Sequence, residues 1–207
     1  MGAEVGKPVS NLGITAIASV TPGIEQKELL TLKTELQKIA AAKGTDQIVK
    51  SDLDDALKKS GKFDAADLDI FSKLFVLFDT GDDTVNYKDY WAGLAGCILS
   101  LNITDRLKFV FSIFDTEGTN QIIKVNLKRA LVAINSVASY FGDPVLTLKD
   151  LDQVTVDTFE AITGGTSKFM PIDALVEQLQ KHSLVQVFLL GEGKVRFGAA
   201  ELNPPPV

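Results

Sequence analysis

The feature that most constrains this chain is a repeat. Residues 71–80 read FSKLFVLFDT and residues 107–116 read LKFVFSIFDT, two apolar stretches that each end in Phe-Asp-Thr. Phe71, Leu74, Phe75 and Phe78 fall at i, i+3, i+4 and i+7, and Leu107, Val110, Phe111 and Phe114 repeat that spacing, which lines up one apolar face of an α-helix. Beyond each triplet come a short polar stretch, a single β-branched residue (Val85 or Ile122), and a second helical stripe. The second stripes are Tyr90, Gly93, Leu94 and Cys97, then Leu127, Ala130, Leu131 and Ile134. Each unit therefore reads as helix, polar loop of about a dozen residues, helix, with one apolar residue inside the loop.

Two fainter copies flank this pair. A helix over about 24–41 carries Leu29, Leu32, Leu36 and Ile39 and leads through KGTDQIVKSDL, with Ile48 in the loop and Leu53 at its exit. Ile48, Val85 and Ile122 stand at equal intervals of 37 residues. Phe159 and Ile162 lead into TGGTSKFMPIDAL, where either Phe169 or Met170 takes the loop position, after a longer interval that accommodates a linker at Gly142, Asp143 and Pro144. No stretch reads as a sheet, although the apolar loop residue of one unit can form a short ribbon with that of its neighbour. The expected fold class is all-α, in two lobes of two units each. The boundaries are a tail over 1–22, a first pair over 23–101 with loops near 41–52 and 79–89, a second pair over 102–182 with loops near 115–126 and 163–174, and a tail over 183–207.

Four helix-loop-helix units, Phe-Asp-Thr at two loop starts and one aliphatic residue in the loop resemble the EF-hand superfamily, over roughly residues 24–182. Length and the unequal last interval are most similar to its calcineurin-B-like and neuronal-calcium-sensor branch. That resemblance implies calcium held by loop oxygens and an apolar groove that holds a target helix. Phe71, Leu74, Phe75, Phe78, Leu107, Phe111 and Phe114 are the expected groove residues, with core packing as the alternative role for most of them.

Calcium takes six to eight oxygens, from loop positions one, three, five, seven and nine and a bidentate Glu at twelve, with Gly at six. No loop here carries the full set. The third comes closest, with Asp115, Glu117, Thr119, the Gln121 carbonyl and Asn126 in a twelve-residue frame. Asn126 offers one oxygen where Glu offers two, and Asn120 replaces the turn glycine, which Asn tolerates better than most residues. The second loop holds Asp79, Asp82, Asp83 and Asp89 but is one residue short, so magnesium or no ion is as good an expectation as calcium. The first opens with alanine, with only Asp46 and Asp52 nearby. The fourth offers Thr163, Gly165, Ser167 and Asp173, and neither loop is expected to hold calcium.

Composition narrows the functional classes. Twenty-one basic against 27 acidic residues leave a net charge of −6, unsuited to a nucleic-acid backbone and suited to cations or a basic target. Cys97 and His182 are each the single residue of their type, which excludes internal disulfides and Cys or His metal clusters and makes a reducing, cytoplasmic setting the expectation. No apolar run reaches the roughly 18 residues of a membrane span. Gly2 sits where N-myristoylation would occur, but Gly6 stands where that signal wants Ser or Thr, so no acylation is expected.

Cys97, beside Trp91 on an apolar stripe, reads as a buried thiol, and His182 as the cationic end of the last helix. Gly164 and Gly165 lack the frame of a phosphate loop around Lys168. Lys124, Lys128 and Arg129 read as a solvated basic face. Both tails carry apolar residues that suit covering a surface or reaching a neighbour. Catalysis has no support. The first expectation is a regulatory or sensor protein that binds an amphipathic helix, with weak calcium binding in one or two loops. The alternative is a calcium-independent structural adaptor, of the kind that serves a cytoskeletal or axonemal assembly.

Overall fold

The computed structural model describes residues 26–61, 63–98, 102–140 and 145–185. The two tails, apart from residues 183–185 and the start of the first helix, and the linker at Gly142, Asp143 and Pro144 lie outside the described residues. Within them the chain is mostly helical, in four repeats of helix, three-residue strand, helix. The first is α1 (Gln26–Lys43), β1 (Gln47–Val49) and α2 (Lys50–Ser60); the second is α3 (Ala65–Phe78), β2 (Thr84–Asn86) and α4 (Tyr87–Ile98). The third is α5 (Ile103–Ser112), β3 (Gln121–Ile123) and α6 (Lys124–Tyr140); the fourth is α7 (Leu148–Thr163), β4 (Phe169–Pro171) and α8 (Ile172–Lys181).

Local chemistry explains the helix boundaries. Asp64 caps α3 by accepting the N–H groups of Ala66 and Asp67, while Asp67 reaches back to the Asp64 N–H. Thr147 and Asp150 form the same reciprocal box at the start of α7, and the Asn102 side chain accepts the Asp105 N–H at the start of α5. Gly164, in the left-handed region at φ 55°, ends α7; the Gly-Gly pair is thus a helix stop.

The loop residues pair as their spacing predicts. β1 runs antiparallel to β2 with Ile48 opposite Val85, and β3 antiparallel to β4 with Ile122 opposite Met170. The register of the fourth unit is therefore settled: Met170 is buried, while Phe169 is 55% exposed. Each strand runs without interruption into its exit helix. The join is stapled identically in both ribbons, by Tyr87 N–H to the Asp46 carbonyl and Ile172 N–H to the Asn120 carbonyl, both at 2.9 Å.

Buried residues of both pairs belong to one core. Buried side chains form a single cluster from Leu29 to Val185, with Trp91, Tyr90, Phe71 and Phe111 the largest fully enclosed. The most extensive helix contact joins α4 of the first pair to α6 of the second. Every side chain of α4 from Tyr90 to Ile98 is buried. Two glycines permit this approach: a Cβ on Gly93 would stand 2.7 Å from Phe78 Cζ, 2.8 Å from the Ala133 carbonyl oxygen and 2.9 Å from Val137 Cγ2, and one on Gly96 would stand 2.5 Å from Ile134 Cγ1. Cys97, buried as expected, points its sulfur at the Ile134 carbonyl oxygen at 3.7 Å.

Gly93→Ala is expected to cost about 2 to 3 kcal/mol, because one neighbour of the new methyl is backbone and cannot swing aside. Urea unfolding of the variant checks this; an unchanged midpoint would mean that α4 and α6 stand further apart.

Candidate functional site

Asp115, Glu117, Thr119, Gln121 and Asn126 line one cavity of about 180 Å³, with Phe114 and Phe169 among the other walls. The third loop therefore brings its five expected donors around one space. The backbone at Asn120 is left-handed, at φ 58°, as expected for an asparagine in the turn position. The Asp115 carboxylate organises this turn. One oxygen accepts the Thr119 N–H at 3.0 Å and the Thr119 hydroxyl at 3.1 Å, and the other accepts the Asn120 N–H at 2.6 Å. Burial alone would raise the Asp115 carboxyl, but the donors from Thr119 and Asn120 outweigh it and hold the group below its ordinary range.

Tested as a divalent-ion site, this donor set is short. Asp115 and Glu117 supply the only two carboxylates among the five, and Asn126 closes the loop with one neutral oxygen, against the six to eight oxygens and the bidentate carboxylate of a tight site. The residues fit a hard cation weakly, with Asp115, Glu117, Thr119, the Gln121 carbonyl and Asn126 as its holders.

The second loop disperses its acids. Asp79 accepts the Gly81 N–H at 2.9 Å, and Asp82 accepts the hydroxyls of Thr80 and Thr84 and the Thr84 N–H, bonds led by the Thr84 hydroxyl that hold its carboxyl down. Asp83 occupies the turn, left-handed at φ 58°. Asp89, expected as the closing ligand, is instead gripped from the second pair: Arg129 Nε and Nη2 donate to its two oxygens, both at 2.9 Å. Among the described residues, no three acidic, histidine or cysteine side chains converge as ligands of one ion.

The expected partner groove is corrected by burial. Phe71, Leu74, Phe75, Leu107, Phe111 and Phe114 are all in the core, and Phe78, half-buried, packs edge-on to Tyr90 with centroids 6.0 Å apart. A stripe at helical spacing shows that a face is apolar but not what covers it. Here the covering comes from within: Phe63 packs edge-on to Phe71, and Tyr90 lies against Phe75 and Phe78. The apolar side chains left exposed on α3 are Leu68, Val76 at 70% exposure, and Leu77.

The basic group at the start of α6 is not left to solvent alone: each member has a partner within the chain. Arg129 holds Asp89 and lies over the Phe114 ring at 5.3 Å, Lys128 pairs with Asp152 at 2.5 Å, and Lys124 lies over the Phe159 ring at 5.0 Å. The acidic partners lie 24 and 40 positions away, beyond the reach of any local spacing rule. His182 caps the end of α8 and meets Asp157 of α7 at 3.2 Å.

Asn126→Glu is expected to raise calcium affinity at the third loop on the order of tenfold, by adding one oxygen and one charge. Isothermal titration checks this, and an absence of gain would mean that residue 126 does not face the cavity as a ligand. Because the Asp115 carboxyl is held below its ordinary range, its share of the binding is expected to be the last to be lost as the pH falls, which titrating calcium binding by that variant at successively lower pH checks. No protein-family model matches this sequence, and a search of curated proteins finds no significant similarity.

Proposed function

We propose that this chain is an EF-hand-type module that works without a calcium switch, as a constitutive protein adaptor within a larger, cytoskeletal type of assembly. The observation that carries this reading is the enclosure of the stripe residues. A sensor of this architecture needs an apolar groove that opens, and here Phe71, Phe75, Phe111 and Phe114 are already buried within the chain's own core. The dispersal of the second-loop acids and the Arg129 grip on Asp89 support it further. An adaptor needs a standing surface rather than an induced one, and α3 keeps Leu68, Val76 and Leu77 exposed, with Val76 the most open of the three. No helix among the described residues is long and apolar enough to cross a membrane.

One observation favours a second reading. The cavity bounded by Asp115, Glu117 and Asn126 suits a weak, ion-responsive loop, in which case the protein is a low-affinity calcium sensor whose response is confined to the third unit. Titration with calcium, with and without millimolar magnesium, separates the two. The adaptor reading expects no saturable heat and the same melting temperature in calcium and in chelator. Micromolar binding that disappears in Asp115→Ala would overturn it in favour of the sensor.

A further inference from the structure

Loops of this kind close through the residue four positions after the apolar strand residue, where a divalent ion would draw in a carboxylate. In the first and second units that residue is an aspartate, Asp52 after Ile48 and Asp89 after Val85, and each already holds a cation belonging to the chain. Lys43, from within the first loop, pairs with Asp52, whose carboxylate also accepts the Val49 N–H at 2.8 Å. Arg129 forks onto Asp89. In the fourth unit Asp173, one residue earlier than the closing position, takes Lys108 at 2.6 Å and the Asn120 side-chain amide at 3.2 Å. The third unit closes with neutral Asn126, where no charge requires a partner.

We propose that the chain's own basic side chains, rather than divalent ions, hold the closing acids of these loops, and that Arg129 on Asp89 is the principal lock because it also ties the two pairs together. The inference rests on reading the loops as EF-hand loops. Arg129 is the strongest of the three by geometry. Its contact is bidentate, its guanidinium is stacked on Phe114 at the opening of the third loop, and both side chains are about two-thirds buried, at 33% and 28% exposure. Lys43 and Lys108 act as point charges, Lys108 at a more exposed site. A tethered cation never dissociates into bulk, so an incoming ion competes with a partner already at high effective concentration. Displacing Arg129 would in addition strand a guanidinium against an aromatic ring. Such a protein is indifferent to chelators and sensitive to monovalent salt, which screens its internal pairs.

The test is a double-mutant cycle on Arg129→Met and Asp89→Asn, followed by thermal unfolding in chelator at about 0.05 and 0.5 M sodium chloride. Each single variant is expected to melt about 3 to 6 °C lower, the double variant to lose clearly less than the sum, and the coupling to shrink at high salt. Arg129→Lys is expected to recover only part of the loss, because an ammonium cannot fork. Should Arg129→Met fail to fold, the cycle on Lys43→Met and Asp52→Asn, within the first pair alone, reads the same kind of coupling on a smaller scale. Additive losses in the cycle would overturn the proposal. Calcium titration of the parent distinguishes the two readings: saturable binding with a raised melting temperature would overturn the calcium-independent function while leaving the coupling in chelator intact. A flat titration with additive losses would overturn only the internal lock.

Discussion

The approach of α4 to α6 across Gly93 and Gly96 decides what the rest of this molecule can be. Two helix pairs, each tied by a three-residue ribbon, could present their apolar stripes to solvent or to a target. Removing two Cβ atoms from α4 lets Ala133, Ile134 and Val137 of α6 come against it closely enough that any larger side chain would collide. The stripes of α3 and α5 then find their cover inside the chain, and a single core results. Close packing of this kind is stiff, since dense interiors have discrete arrangements rather than a continuous range. The seam is also where charge enters, because Arg129 and Asp89 join the same two helices beside it.

The repeat in the sequence carried most of the architecture. Residues at equal intervals, Ile48, Val85 and Ile122, foretold ribbons because a loop position that recurs in every unit must meet its counterpart when units pair. The apolar stripes located the helices, and Asn120 was recognisable as a turn residue because asparagine tolerates the left-handed backbone found there. The fourth unit showed the limit of this reasoning. Phe169 and Met170 are both apolar, and only the pairing of Ile122 with Met170 shows which one turns inward.

What stayed hidden were relations between distant positions. Gly93 sits on an apolar stripe, and sequence spacing alone cannot say that its value is the absence of a side chain facing the Ala133 carbonyl. Arg129 lies among other basic residues and looks solvated until Asp89, 40 positions earlier, is brought against it. The groove residues show a related limit: periodicity reports that Phe71 and Phe75 share one face, while what covers them, Phe63 and Tyr90, comes from outside their own helical stripe. The third-loop candidates Asp115, Glu117, Thr119, Gln121 and Asn126, by contrast, lie within twelve consecutive residues, and the structure sets all five around one cavity.

Native-state hydrogen exchange along α4 and α6, with and without calcium, tests most directly that the seam makes the two pairs one unit. If it does, the slowest amides of both helices exchange only through global unfolding, at matching free energies, and calcium leaves them unchanged. Separate protection levels for the two pairs, or faster exchange along the seam when calcium is added, would show that the pairs open independently and would contradict the account.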